Sequence, residues 1–274
     1  MLFFSSRHRL GLWNNQYLII IAPNHTYNNM RIPKIILILL SFTASLCSAQ
    51  EKNIAKQYLL TGLINKKIPV QLQIAVHHHI VIGNITYLNT KAKKPIKIIG
   101  RVDEKNQYSI HEFEKNGNIS WSIYATLKGN QLRGDWWATK SDTSYAASLT
   151  IKDIQNSKAE TFSTGDRNQV AGEYFYQYGE KGYQGNITIR KVTGNSFSYE
   201  IGSVTHDPGR NIADASGTAV LKNNQFIIEV NKSCKFLVRF YNGFLIISEE
   251  NSTQLNDCQF GFNATLAGIY LKTK

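Results

Sequence analysis

From Tyr58 onward, apolar and polar side chains alternate with a period of two, and Gly, Asn, Asp or Lys breaks the alternation every 8 to 12 residues or so. Val70, Leu72, Ile74 and Val76 alternate with Gln71, Gln73 and Ala75, and Trp121, Ile123 and Ala125 alternate with Ser120, Ser122, Tyr124 and Thr126. No stretch carries the three-and-four spacing of an amphipathic helix. The pattern predicts strands near 58–65, 68–76, 80–88, 95–102, 107–113, 119–127, 131–138 and 144–151. Their connections hold Asn, Gly or Asp (Asp103 to Asn106, Asn116-Gly117-Asn118, Gly129-Asn130, Ser141-Asp142), residues that tolerate the positive φ of tight hairpins.

Residues 153 to 170 are polar and lose the alternation, so they read as a linker. Strands then resume near 172–178, 184–192, 195–205, 214–222, 225–231, 234–241, 243–249 and 258–271. The expected fold class is therefore all-β: two antiparallel, up-and-down, barrel-like or sandwich domains of about eight strands each, spanning 50–152 and 171–274. Gly83-Asn84-Ile85-Thr86 recurs as Gly185-Asn186-Ile187-Thr188, but other echoes fall at a different offset. Repeated hairpin chemistry accounts for that better than duplication does.

Ahead of the strands the pattern changes. Met30-Arg31-Ile32-Pro33-Lys34 is a short basic start, an apolar run follows from Ile35 to Leu40, and Cys47-Ser48-Ala49 places small side chains before Gln50 at signal-peptidase spacing. Residues 30–49 are expected to be a signal peptide and 1–29 an upstream extension, with Met30 as the initiator. The apolar run is shorter than the roughly 20 residues that span a bilayer. Leu46, directly before Cys47, argues against a lipid-anchored cysteine. The expectation is an exported protein, periplasmic or secreted.

Without residues 1–49 the chain carries 27 basic and 19 acidic residues. The excess is concentrated in Gln50 to Glu160, with 16 basic against 9 acidic, while Thr161 to Lys274 has 11 against 10. Lys91, Lys93, Lys94, Lys97 and Arg101 form its densest cluster. A basic first domain suits an anionic envelope component or a protein partner, although lysines that discourage edge-to-edge strand pairing are the commoner reason for such a cluster. Nucleic acid is not expected as a partner outside the cell. Once Cys47 is removed, Cys234 and Cys258 are the two remaining cysteines and should pair in an oxidising compartment.

The stretch "GLINKKIPVQLQI" through "GNITY", "IKIIGRVD" and "LKGNQLRGDWW" resembles a β-rich module of uncharacterised exported proteins of Gram-negative bacteria. The second half, from "AGEYFYQYGEKGYQGNITI" through "CKFLVRFYNGFLIISEE" to "CQFGFNATLAGIYLK", is similar to small β domains that sometimes accompany lysozyme-inhibitor-like regions. The resemblance rests on glycine turns, alternating apolar positions and a cysteine pair, and it implies no catalytic residue. Lysozymes are usually basic, so electrostatic steering disfavours an inhibitor as basic as this chain.

Candidate chemistry is sparse. His77 and His79, if extended, would share a face and could recruit His111, Glu112 or Glu114 as a further metal ligand, although an ordinary hairpin end explains the histidines more simply. Trp136 and Trp137 point to opposite faces of one strand, so one should enter the core. Tyr174, Tyr176 and Tyr178 share a face that would stack on sugars if exposed, or pack across strands if not. His206, Asp207 and Arg210 lie on the irregular segment 203–217, where a polar ligand and a rigid loop are both compatible with them. Glu112 and Glu114 fall two apart on one strand face, where paired carboxylates can do glycosidase work, although two alternating carboxylates on a solvent face are far commoner. No GxSxG, HExxH, P-loop or CxxC occurs. The expected function is a non-catalytic exported binding or envelope-associated protein without a cofactor. A lipocalin-like small-molecule carrier, a lysozyme-type protein inhibitor and a metal binder at His77–His79 are the alternatives.

Overall fold

A computed structural model describes residues 54–158, 162, 169–250 and 258–274. The expected signal peptide, the upstream extension and the centre of the expected linker lie outside the described residues. The chain from Asn53 to Lys274 forms one compact unit.

The first eight strands are β1 (Ile54–Ile64), β2 (Ile68–His77), β3 (Ile80–Tyr87), β4 (Ile96–Val102), β5 (Gln107–Phe113), β6 (Asn118–Lys128), β7 (Gln131–Ala138) and β8 (Thr143–Lys158). Each pairs antiparallel with the next, and β8 returns to β1, so the meander closes on itself as an eight-stranded barrel. The inward row carries Leu60, Val70, Leu72, Ile85, Ile98, Ile110, Ile123, Leu132 and Leu149, all nearly inaccessible to solvent. Closure draws the backbones close together. A Cβ at Gly62, Gly83, Gly100 or Gly134 would lie 2.0 to 2.2 Å from a carbonyl oxygen of the neighbouring strand, which glycine alone avoids.

The second eight strands are β9 (Gly172–Tyr178), β10 (Gln184–Thr193), β11 (Ser196–Val204), β12 (Ile212–Val220), β13 (Gln225–Asn231), β14 (Cys234–Tyr241), β15 (Phe244–Glu249) and β16 (Gly268–Lys272). They repeat the circular order, with β16 returning to β9. One join differs: β12 and β13 share the hairpin at Asn223-Asn224, both at positive φ, but no ladder continues beyond it among the described residues. The seam opens toward Ile212 and Asn231. There segment 258–267 crosses it: the Gly261 amide donates to the Ile212 carbonyl at 3.1 Å, and Cys258 is disulfide-bonded to Cys234 at the start of β14.

The two halves join along β6 and β9, paired in parallel at Asn118↔Gln177 and Ile119↔Tyr178. The core of the second half is rich in Phe and Tyr and takes in Ala55, Ile80, Ile99, Phe113 and Ile119 from outside the first barrel. β5 is consequently buried on both faces from Ile110 to Phe113.

Two sequence expectations need correction. β8 does not end near 151 but runs to Lys158, because its backbone stays paired with β1 as far as Ile54↔Lys158 whatever the side-chain pattern. The expected strand over 258–271 is restricted to Gly268–Lys272, since Gln259 and Asn263 adopt positive φ and the segment before β16 turns across the seam.

Candidate functional site

Between the outer wall of the first barrel and β14–β15 lies a cleft of about 900 Å³. Its floor is set by strand register: Arg101 on β4 pairs with Ser109 on β5, Ser109 with Tyr124 on β6, and Tyr124 with Asp135 on β7, so these four side chains form one outward row. The opposite wall presents Arg239 and Tyr241 from β14 with Ile246 and Ser248 from β15. Arg101 reaches across and donates from Nη2 to the Ile247 carbonyl at 3.2 Å.

That bond uses one of five guanidinium N–H groups. Among the described residues no carboxylate lies within ion-pair distance of Arg101, nor of Arg133 or Arg239, which also line the cleft. Asp103, Glu104 and Asp135 also line the cleft, none of them within ion-pair distance of Arg101; Asp103 is engaged by its own turn and accepts from the Lys105 and Gln107 amides at 2.9 and 2.7 Å. Burial, reinforced by the like charge of Arg239, lowers the pKa of Arg101, although the phenols of Tyr241 and Tyr178 oppose the shift. A charge taken from water without a counter-ion is costly. An anion entering from the open side would relieve that cost and meet the tyrosine rings beside it.

Behind the cleft, His111 is buried and sits 2.8 Å from Ser122 Oγ and 3.3 Å from the Tyr178 hydroxyl. Burial and nearby Arg101 push its pKa down to about 4, so the imidazole is neutral near pH 7. The next residue, Glu112, points the other way, into the first barrel. It is 2% exposed, and its Oε1 accepts from the Tyr87 hydroxyl and from Trp136 Nε1. Burial raises its pKa to about 7, although both hydrogen bonds oppose the shift. Above it Trp121 and Trp136 stack at 3.6 Å with ring planes 4° apart.

The residues singled out from sequence are dispersed rather than convergent. His78 and His79 both take positive φ and form the β2–β3 turn, so His77 and His79 do not share an extended face; their Nδ1 atoms lie near different carbonyls, of Ile54 and Val102. His111 lies apart from both in the joint between the halves. Among the described residues, no group of three or more His, Cys, Asp or Glu side chains converges as a metal site. Trp136 is buried against Trp121 and offers no free face, whereas Trp137 donates to Asp142 at 2.8 Å on the outside. Tyr174 and Tyr176 are core residues, 3% and 5% exposed, and Tyr178 packs on His111, so the row does not present a sugar platform. Asp207 and Arg210 pair with each other at 3.6 Å, and the His206 ring meets Tyr183. Glu112 is interior, while Glu114 pairs with Lys140 at 3.7 Å at the barrel rim; a bulge between Glu112 and Phe113 breaks the alternation that put the two glutamates on one face. The Cys234–Cys258 disulfide forms as expected.

Sequence reading passed over Arg239, Tyr124 and Tyr241, and placed Arg101 in a surface lysine cluster. The available sign was an arginine near the end of a strand that is apolar apart from one lysine at its start, in "IKIIGRV" and again in "CKFLVRFY".

No family model matches the chain, and no curated protein matches it. Among solved structures it is similar to a protein of unknown function of the DUF3598 family from Nostoc punctiforme PCC 73102, at 9% identity and a TM-score of 0.25, over 73% of this chain and 80% of that one. At that distance nothing carries over from one protein to the other.

Proposed function

We propose that this is a non-catalytic binding protein that takes a small molecule with an anionic group into the cleft between the barrels. The observation that carries the reading is Arg101, partly buried at the cleft floor with no carboxylate partner among the described residues. Arg101 and Arg239 hold the anion, and Tyr124 and Tyr241 pack on its apolar part. The first-barrel interior is a weaker candidate for a carrier site, because Trp121, Trp136, Tyr87 and Glu112 pack on one another there. Export completes the proposal; the signal-peptide pattern over 30–49 and a disulfide suited to an oxidising compartment support it.

Phenyl phosphate, which combines a dianion with a ring, is a suitable probe in titration calorimetry. Each charge-assisted hydrogen bond is worth about 1.5–3 kcal/mol, so Arg101→Met should weaken binding by roughly 10- to 100-fold while Lys128→Gln, outside the cleft, leaves it unchanged. Equal affinity in Arg101→Met and the parent would sink the cleft as the site.

A further inference from the structure

The topology sorts the loops of the first barrel by end. The β1–β2, β3–β4, β5–β6 and β7–β8 connections share one end, and the β2–β3, β4–β5 and β6–β7 connections share the other. The first end carries Lys66, Lys67, Lys91, Lys93, Lys94, Lys115 and Lys140, all exposed, against two carboxylates, Glu114 and Asp142. Glu114 is already paired with Lys140. The opposite end holds Asp103, Glu104 and Lys105 with His78 and His79. The basic excess of the first half is therefore strongly polarised along the barrel axis.

Five of the seven lysines occupy two adjoining loops, 65–67 and 88–95, which contain no acidic residue. The Leu88 amide donates to the Pro69 carbonyl at 2.8 Å, extending the β2–β3 ladder to the rim where both loops begin. Asn65 and Lys66 take positive φ in a tight turn that projects Lys66 and Lys67 from the rim. The structure also divides the cluster seen in sequence: Lys97 leans over the Phe244 ring and Arg101 enters the cleft, leaving Lys91, Lys93 and Lys94 at the rim.

From this placement we infer that the lysine-bearing end of the first barrel is a docking surface for a phosphate-rich anionic bilayer. Lysines spread over four loops cover a disc, which matches a charged plane better than a single polymer strand lying in a groove. The long rim loop "LNTKAKKP" offers no aromatic or large apolar wedge beyond the half-buried Leu88, and beside the 65–67 turn Leu63 is 42% exposed but carries no aromatic anchor, so adsorption is mainly electrostatic. The inference is independent of the cleft, which lies on the side of the barrel.

Co-sedimentation of the protein with vesicles of 30% phosphatidylglycerol in phosphatidylcholine, and with pure phosphatidylcholine, tests it at low and high salt. Binding is expected to the anionic vesicles only, and to fall steeply as salt rises. Each lysine near such a surface changes partitioning by about fivefold. Lys91→Gln/Lys93→Gln/Lys94→Gln should therefore lose about 100-fold, while Lys105→Gln/Lys128→Gln/Lys232→Gln, equal in charge but away from this end, keeps most of the binding. Equal losses in the two triple variants would overturn the inference, as would no binding to anionic vesicles at low salt. Tighter binding to linear polyphosphate than to vesicles at matched phosphate concentration would also overturn it, in favour of a polymer. All six positions are exposed, and unchanged melting temperatures would confirm that folding is intact.

Discussion

The two barrels share strand number and circular order yet are closed by different means. The first is sealed by backbone: β1 and β8 run through eleven register pairs, from Ile54↔Lys158 to Ile64↔Ala147. The second closes β16 on β9 through two pairs and leaves β12 and β13 without a ladder beyond their hairpin among the described residues. Its cohesion comes from aromatic packing, such as Tyr176 on Tyr270 and Tyr199 on Phe226, and from the disulfide-tethered segment across the seam. One topology thus accommodates two divisions of labour between hydrogen bonds and side chains. The first barrel should be the more resistant to loss of a crosslink and the second to loss of a single ladder.

The largest expected effect is in the first barrel. Trp136→Ala removes the ring stacked on Trp121 and one of the two donors to buried Glu112. A buried aromatic truncated to alanine costs about 3–5 kcal/mol, to be read as a lowered denaturation midpoint with faster hydrogen exchange concentrated in β5 to β8. Next in size, Cys234→Ala/Cys258→Ala reopens a loop of 24 residues' separation. The loss of about 3 kcal/mol should appear as faster exchange in β12 to β14, with β1 to β8 nearly unaffected. Exchange rising equally in both barrels would show that the comparison between them is wrong.

A third prediction uses the two adjacent residues that face opposite ways. Glu112 has its pKa raised to about 7 in the folded state, so between pH 4.5 and 7 the unfolded chain ionises first and stability falls as pH rises. His111 has its pKa lowered to about 4, so between pH 6.5 and 4 the unfolded chain takes up the proton first and stability falls as pH drops. In the parent the two slopes oppose each other over the shared range. Glu112→Gln should expose the His111 slope and His111→Gln the Glu112 slope, each amounting to roughly 3 kcal/mol at about 1.36 kcal/mol per pKa unit. Urea titrations at pH 4.5, 5.5, 6.5 and 7.5 measure both, and parallel curves for the two variants would contradict the assignment.

The smallest effect concerns the β2–β3 turn. His78 and His79 sit at φ 44° and 67°, where Asn-Gly is the better pair. Replacing them should stabilise the first barrel by about 1 kcal/mol, visible as a rise of about 2–4 °C in the melting temperature.

Most of the strand map was legible because one face of most strands is the more polar and exposed. Seven of the first eight strands fall within a few residues of their expected bounds, and the exception, β8, overruns because ladder bonds ignore side-chain identity. The cleft was not legible for the opposite reason. Around β5 both faces are buried, one in the first barrel and one against the second half, so period-two reading cannot tell which of Ser109, His111 and Glu112 faces which environment. Arg101 looked like a member of a lysine cluster because sequence proximity joins what the end of a strand separates. The histidine run suggested an extended face, whereas its backbone turns at that point.

The position of β16 also bears on the order in which the chain can complete its fold during synthesis. The first barrel is self-sufficient in pairing once Lys158 has emerged, whereas β9, already paired with β6 and β10, meets its closing partner only nearly a hundred residues further along, at Gly268–Lys272. A ribosome that stopped between these points would release a product with a finished barrel at its front and bare strand edges at its rear. Such edges recruit other chains, so incomplete products should be conspicuous to the proteases that clear them.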